Sequence, residues 1–388
     1  MNALFEDPAL FRLLLVLSVG VAFAVYTRLH LVGGGSVTGG YVAILVVTGQ
    51  WSTLLGSALV TLLTLIIVRG FVLRFFGLPR SWQFTIAVFV GAVTTAVLAA
   101  IVPAWISLGE PLGLAITFGA FVIPGLVSYD VSHQGFPQTM LALGLVSGAT
   151  LAICVPVFLL LQGLPAGSTD DVPFIQRIPT DLMPFAVIAV IVIGAVLRFS
   201  LNLRSGGFIG ALFIVEFFSP EAFLAVGAAA LATQVIMSLI EWRVVLSWRQ
   251  RAMVALMLGA LVAWGGLYWA SAFGWLPAME ANLYTLSPLL ATGLMAADMG
   301  RKGSDVLRTF LGTGLAALIL AVLLWFTTTL GLAAGIGTLL VVSLGLIPGI
   351  LALRAPRRAA ERSGKMRLVE LGRLTSPGSR SDGDPPPA

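Results

Sequence analysis

Long apolar runs recur along the chain, and each is about as long as a helix that crosses a bilayer. The first set lies near residues 9–26, 51–73, 82–105, 112–128 and 138–162, and the second near 183–201, 220–241, 251–273, 281–297, 306–328 and 332–353. Backbone groups in lipid must find partners within a helix or a closed barrel, and these runs lack the alternation of barrel strands. We therefore predict an all-α polytopic membrane protein.

Much of the sequence forms an internal repeat. The pattern of residues 28–140 recurs farther along the chain, at a spacing that decreases from 170 to 168 residues. The matched positions are mostly charged residues and glycines, which lipid-facing helices do not require. The pairs are Arg28 with Arg198, Gly40 with Gly210, Arg74 with Arg243, Arg80 with Arg249, Trp105 with Trp275, Glu110 with Glu280, Gly125 with Gly293, Asp130 with Asp298 and Gly135 with Gly303. A fixed period indicates duplicated structural units. We predict two membrane repeats, the first half (residues 1–163) and the second half (residues 183–329).

One crossing in each half is too rich in glycine to be a continuous helix. In the first half it covers residues 30–49, and we expect an unwound stretch followed by a short helix over 41–49. The second half repeats this pattern over residues 203–218. Counting these broken second crossings gives six per half. One additional transmembrane helix at 330–354 makes thirteen crossings in total.

The basic residues predict an orientation. With the N-terminus outside, only Arg12 and Arg177 of the 22 Lys and Arg residues fall outside the membrane, as the positive-inside rule favours. An even number of crossings makes the halves parallel, related by an axis along the membrane normal. Residues 164–182 then form an extracytoplasmic linker. Residues 355–388 form a basic cytoplasmic tail that is expected to be disordered at its end.

Composition excludes several classes of function. Only 10% of residues are charged, and the net charge of +5 comes largely from the tail, so a basic face for nucleic acid is not expected. The pattern G-x-x-x-x-G-K-[ST] of a P-loop does not occur. One cysteine and two histidines give little material for a metal site. We expect no cofactor or metal on this chain, and any ATP-driven step on another subunit.

Helix breakers mark a candidate site in the fifth crossing of each half. Pro124-Gly125 is expected to interrupt this crossing in the first half, and Thr292-Gly293 to weaken it in the second. Paired interruptions in corresponding segments point to a binding or conduction site. A packing kink is the alternative interpretation.

Charged residues mark the predicted cytoplasmic ends of the crossings. Arg28 and Arg198 each stand twelve residues before a glycine of the broken crossing. A guanidinium there could hold a carboxylate or phosphate, or simply reach the lipid headgroups. Asp130 and Asp298 follow the fifth-crossing glycines by five residues, and pairing with the arginines is the most economical expectation. Cation binding and capping are alternatives, and His133 is interpreted as a rim residue.

Several motifs of the first half resemble those of one known family. They are Thr27-Arg28 twelve residues before Gly40-Tyr41, Ile123-Pro124-Gly125-Leu126, His133-Gln134-Gly135-Phe136-Pro137-Gln138-Thr139 and Leu145-Val146-Ser147-Gly148-Ala149-Thr150. Over roughly residues 9–160 the chain resembles the PgsC/CapC family, the membrane subunit of poly-γ-glutamate (capsule) synthase. It looks like a tandem fusion of two such units. The second half keeps Arg198, Gly210, Gly293 and Gly303 but departs from the other motif residues, so equal function of the halves is not expected.

The resemblance implies a subunit in the bacterial cell (inner) membrane for poly-γ-glutamate synthesis and export. Its partners would be a Mur-ligase-like ATP-dependent ligase that holds ATP and Mg, a membrane-anchored accessory subunit and the anionic polymer. This chain would be non-catalytic or co-catalytic, docking the ligase and forming or gating the polymer path. The expected path residues are Arg28, Gly40, Pro124, Gly125, Asp130, His133, Gln134, Gly135, Pro137, Arg198, Gly210, Gly293, Asp298, Arg301 and Lys302.

Two other functions are compatible with the residues alone. Paired broken helices are also typical of a secondary transporter, here for a small anion. An intrinsic membrane transferase of cell-envelope synthesis would require a carboxylate base such as Asp130.

Overall fold

The computed structural model describes residues 8–72, 74, 80–102, 113–161, 178–201, 203, 210–212, 214–215, 220–272, 286–300, 303–341 and 343, and regular structure in these ranges is helical, as predicted. The first half contains α1 (Pro8–Leu29), α2 (Thr38–Val47), α3 (Trp51–Ile67), α4 (Arg80–Ile101), α5 (Gly113–Gln134) and α6 (Phe136–Leu161). The second half contains α7 (Met183–Val196), α8 (Pro220–Arg243), α9 (Trp248–Ala272), α10 (Leu286–Asp298) and α11 (Gly303–Leu330). Helix α12 covers Leu332–Val341. The predicted tail, 355–388, and most of the predicted linker lie outside the described residues.

Five helices in the described ranges are long and apolar enough to cross a bilayer. They are Trp51–Val72, Trp82–Ile101, Phe136–Val157, Phe223–Arg243 and Gly303–Leu330. Large apolar side chains on their outer surfaces, such as Leu55 and Leu224, are exposed in the bundle, as expected for residues that face lipid. The chain is therefore a helical membrane protein. The total of thirteen crossings and the orientation remain predictions.

The glycine-rich stretch of the first half has the expected form of an unwound segment before a short helix. Residues 30–37 form a non-helical loop, called here the glycine loop, and α2 follows with only ten residues. Helix α2 begins three residues earlier than the predicted 41–49 and is largely buried. In the second half, residues 210–212 and 214–215 are helical at the corresponding place.

The fifth helix of each half is continuous, so the predicted interruption is wrong. Helix α5 runs through Pro124-Gly125, and α10 runs through Gly293. A Cβ atom on Gly125 would lie 2.5 Å from the carbonyl oxygen of Ala87 in α4, and a Cβ on Gly293 would lie 2.7 Å from the Cα of Leu256 in α9. These glycines let two helix backbones approach closely. The packing interpretation therefore accounts for them.

In both halves the facing helix also has a glycine at this crossing. A Cβ on Gly91 of α4 would lie 2.6 Å from the backbone nitrogen of Gly125, and a Cβ on Gly259 of α9 would lie 2.5 Å from the Cα of Gly293. Each crossing is thus glycine against glycine, and the two crossings are separated by the shift of 168 that relates Gly125 to Gly293.

Helix packing also recurs between corresponding elements. Helix α1 packs on α6 within the first half, and α7 packs on α11 within the second. Between the halves, α1 packs on α9 while α7 packs on α4. The first helix of each half therefore packs on one helix of the other half, and these two helices, α4 and α9, correspond to each other in the repeat. This exchange places the glycine loop, which follows α1, beside the second half.

Candidate functional site

The glycine loop is held by a buried carboxylate at the end of α5. One carboxylate oxygen of Asp130, Oδ2, accepts hydrogen bonds from the backbone N–H groups of Gly34 at 3.0 Å and Gly35 at 3.2 Å. Both glycines have positive φ, 78° and 86°, which turns two successive N–H groups toward one anion. Asp130 is only 6% exposed. Its side chain therefore fixes the shape of the loop.

A second side chain from the same turn of α5 clamps the start of the loop. Gln134 accepts a hydrogen bond from the Val32 N–H at 3.1 Å and donates its amide to the Val32 carbonyl. The same amide nitrogen donates to the hydroxyl of Thr139 at 2.9 Å. We call Asp130, Gln134 and Thr139, with the loop backbone that they hold, the loop clamp.

The motif residues between Gln134 and Thr139 shape the turn from α5 to α6. Gly135 has a φ of 95° and ends α5, and α6 begins at the next residue. Pro137 occupies the first turn of α6, where its missing N–H costs nothing. The Thr139 hydroxyl also donates to the Gly135 carbonyl at 2.9 Å. The motif thus specifies a tight turn that joins two of the clamp side chains, Gln134 and Thr139.

Asp130 forms no ion pair with Arg28 or Arg198 among the described residues. Arg28 lies exposed in the last turn of α1. The cation that acts most strongly on the carboxylate is Arg249, at the start of α9. A buried carboxylate needs such compensation because an isolated buried charge is costly. The counter-charge therefore comes in part from the second half.

Packing around the glycine loop confirms this neighbourhood. Val37, at the end of the loop, and Tyr26, near the end of α1, belong to a cluster with Met253 and Met257 of α9. The loop clamp is thus a contact point between the halves as well as a feature of the first.

The first turn of α2 lies at the centre of the first half. A Cβ on Gly40 would clash with the hydroxyl of Ser18 in α1, and one on Gly39 would clash with Val146 in α6. The ring of Tyr41 packs where Gly119 of α5 has no side chain. Gly40 is therefore required by close packing against α1.

The other predicted site residues divide into surface and interior positions. His133 and Pro137 are exposed near the clamp, and the His133 ring packs on Tyr129 at 4.3 Å. In the second half Arg198 is exposed, Gly210 and Gly293 are buried and Asp298 is half-buried. Arg301 and Lys302 lie outside the described residues.

Sequence reasoning missed a buried polar network in the second half. Arg251 of α9 pairs with Glu241 of α8, with Nε 2.5 Å from Oε1. It also donates to the Ala297 carbonyl of α10 at 3.1 Å and to Gln234 at 3.2 Å. The Gln234 amide donates to the Gly300 carbonyl at 2.9 Å. The signal was a charged pair ten residues apart across the α8–α9 turn.

The geometry limits the chemistry of this site. Because the N–H groups of Gly34 and Gly35 already bind Asp130, they are not free to hold an anion in this conformation. The clamp is a structural element that presents its exposed neighbours, Arg28 and His133, at one end of the bundle.

Comparison with known proteins gives one match. Residues 17–140, roughly a third of the chain, match the family described as Capsule biosynthesis CapC. The matched segment runs from α1 to the first turns of α6 and contains the whole loop clamp. No curated protein and no solved structure matches the chain.

Proposed function

Because residues 17–140 match the family described as Capsule biosynthesis CapC, we propose that the protein is an integral membrane subunit of a complex that makes and exports an anionic poly-γ-glutamate capsule polymer. In this proposal the chain docks an ATP-dependent ligase and forms or gates the polymer path. The halves act as two parallel CapC-like units, each of which presents an exposed arginine to the polymer, Arg28 in the first and Arg198 in the second. The loop clamp is the observation that carries the proposal.

The clamp supports a polymer-contact role because it fixes the surroundings of an exposed arginine. Hydrogen bonds from Val32 to Gln134 tie the end of α1 to the end of α5, across 102 residues of sequence. Arg28 lies four residues before Val32, exposed at this end. A permanently charged guanidinium on a rigid support is suited to bind successive carboxylates. We place the entrance of the polymer path at this end, which the basic residues predict to be cytoplasmic.

Arginine variants test the proposal directly. We expect Arg28→Ala and Arg198→Ala to abolish polymer at the cell surface, because each removes a charge that binds carboxylates, without loss of the protein from the membrane. Cells that also express the ligase and accessory subunits would be assayed for surface polymer and for membrane-bound protein. Arg69→Ala, which removes another exposed arginine of the first half, is the matched control. Normal polymer in both variants would exclude the contact role.

The alternative functions predict different outcomes. A secondary transporter of a small anion would take up labelled glutamate in proteoliposomes that contain this chain alone. A membrane transferase would lose polymer synthesis on Asp130→Asn, because the substitution removes a base. The contacts of Asp130 with two backbone N–H groups favour a positioning role, so we expect the Asn variant to retain synthesis.

A further inference from the structure

Five buried side-chain oxygens of the first half have no hydrogen-bond partner in the part of the chain that the structure describes. They belong to Tyr41, Gln50, Ser57, Thr64 and Ser147. Leaving such a group buried and unpaired destabilises the fold. The family-matching segment contains the first four of these residues. A ligand or water would complete their hydrogen bonds.

Three of these oxygens form a stripe along α3. Gln50 directly precedes the helix, and Ser57 and Thr64 follow at intervals of seven residues. Residues seven apart lie on nearly the same face of a helix. At 1.5 Å per residue the stripe covers about 21 Å, most of a hydrocarbon core of roughly 30 Å.

Tyr41 extends this stripe from a second helix. Its hydroxyl lies beside that of Ser57 without forming a well-directed hydrogen bond, and its ring packs against Gly119 of α5. Helix α3 packs along α5, and α2 packs on both. The Tyr41 hydroxyl therefore meets the stripe at Ser57, next to α5.

The second half has apolar residues at two of the corresponding places. Tyr41 corresponds to Ala211 at the shift of 170 that relates Gly40 to Gly210, and Ser57 corresponds to Val226 at the shift of 169 that relates Arg74 to Arg243. Ala211 and Val226 are both buried.

The third position of the stripe differs in its hydrogen bonding. Thr64 corresponds to Thr233, whose hydroxyl is satisfied by the Ala229 carbonyl at 2.8 Å. The unpaired oxygens at Tyr41, Ser57 and Thr64 thus have no counterpart in the second half.

We propose that Tyr41 and the Gln50–Ser57–Thr64 stripe line a polar passage through the first half, and that their oxygens bind the amide and carboxylate groups of the extended polymer. This rests on the proposed function. Hydroxyls donate to carboxylates and accept from amide N–H groups, but they carry no charge that would trap an anionic chain. Among the described residues of the second half, Thr292 alone has a buried unpaired side-chain oxygen, so no such stripe is present there.

Cysteine labelling tests whether the passage is hydrated. Cys154 is the only cysteine, so a Cys154→Ala background makes each introduced thiol unique. We expect a small, membrane-impermeant methanethiosulfonate reagent to modify Ser57→Cys in vesicles at least tenfold faster than Val226→Cys, its counterpart in the second half. Equal rates, or no modification of either, would overturn the proposal.

A second pair of positions guards against a variant that fails to fold. Thr64→Cys and Thr233→Cys occupy corresponding positions, and the same difference in rate is expected. Each protein would first be checked for normal membrane insertion and for a monodisperse profile in detergent. Because this readout requires no polymer, it decides the passage even if the proposed function fails.

Removal of the Tyr41 hydroxyl tests polymer binding. Tyr41→Phe deletes an unpaired oxygen, so stability should be unchanged or increased. If the passage carries polymer, surface polymer falls severalfold at normal protein level, whereas Tyr26→Phe, outside the stripe, leaves it unchanged. Normal polymer in Tyr41→Phe would overturn the binding role. Absence of polymer in cells with the unaltered chain and its ligase would instead count against the proposed function.

Discussion

The two halves share one packing scheme but join their helices with different chemistry. In the first half, the Thr95 hydroxyl of α4 donates to the Ala120 carbonyl of α5 at 3.1 Å, and the Ser128 hydroxyl of α5 donates to the Thr61 carbonyl of α3 at 2.9 Å. At a shift of 168 the donors become Ala263 and Ala296, both buried. The glycine crossings that both halves share therefore specify the arrangement of helices. The hydrogen bonds between these helices differ from one half to the other.

A buried network of charged and amide side chains joins three helices at one end of the second half. Arg251, Glu241 and Gln234 join α8, α9 and α10 there, while the first half has Trp82 at the position that corresponds to Arg251. The first half instead uses Asp130 to fix its glycine loop. The halves therefore differ in the polar contacts that join their helix ends.

Loss of the buried cation in the second half should have the largest effect. Arg251→Ala removes the guanidinium that lies 2.5 Å from the buried Glu241 carboxylate, and breaking such a pair costs about 3–5 kcal/mol. Thermal unfolding of the purified full chain in detergent measures the change. Arg243→Ala, which removes an exposed arginine of α8, should leave stability nearly unchanged. Similar melting curves for the two variants would show that the second half does not depend on this network.

One methyl group added at the glycine crossing of either half should destabilise the protein by a similar amount. Gly91→Ala and Gly259→Ala each place a Cβ within 2.6 Å of facing backbone, and overpacking of this kind costs about 1–3 kcal/mol. Gly144→Ala and Gly265→Ala are matched controls, because a Cβ there meets nothing within 4 Å. Unequal losses at the two crossings would break the equivalence of the halves.

Opening the loop clamp should loosen the first half locally. Gln134→Ala removes the side-chain hydrogen bonds to Val32 and Thr139, a loss of about 1–2 kcal/mol. Hydrogen exchange of the amides from Val32 to Gly35 should speed up accordingly. Gln138→Ala, an exposed glutamine of the same motif, serves as the control. Unchanged exchange would mean that Asp130 alone holds the loop.

The interhelical hydroxyls should have the smallest effect. Thr95→Val keeps the shape of the side chain and removes the hydroxyl that the Ala120 carbonyl of α5 shares with the Gly91 carbonyl of α4. An interhelical hydrogen bond is worth about 0.6 kcal/mol in membrane proteins. Thr94→Val, which loses only a bond to Val90 of its own helix, is the control. Chemical unfolding in mixed micelles resolves such differences. Equal losses would show that these hydroxyls do not distinguish the halves.

Much of the fold could be predicted from the sequence, because apolar length and repeated spacing are local properties. The helical class and the short helix after the glycine loop agree with the structure. The interpretation of Gly125 did not, since a glycine beside a proline has the same appearance whether it breaks a helix or lets two helices touch. Gln134, Gly135 and Pro137 were identified as motif residues, but their roles in a turn and a clamp were not evident.

The sequence by itself determined that this is a helical membrane protein with a duplicated pattern of glycines and charges, because bilayer thickness and helix geometry constrain every segment in the same way. Only the tertiary structure decided which groups meet. Asp130 reaches Gly34 across 96 residues and lies within the field of Arg249 from the second half. Such partners depend on how helices pack, and no local pattern encodes a contact between segments so far apart in the chain.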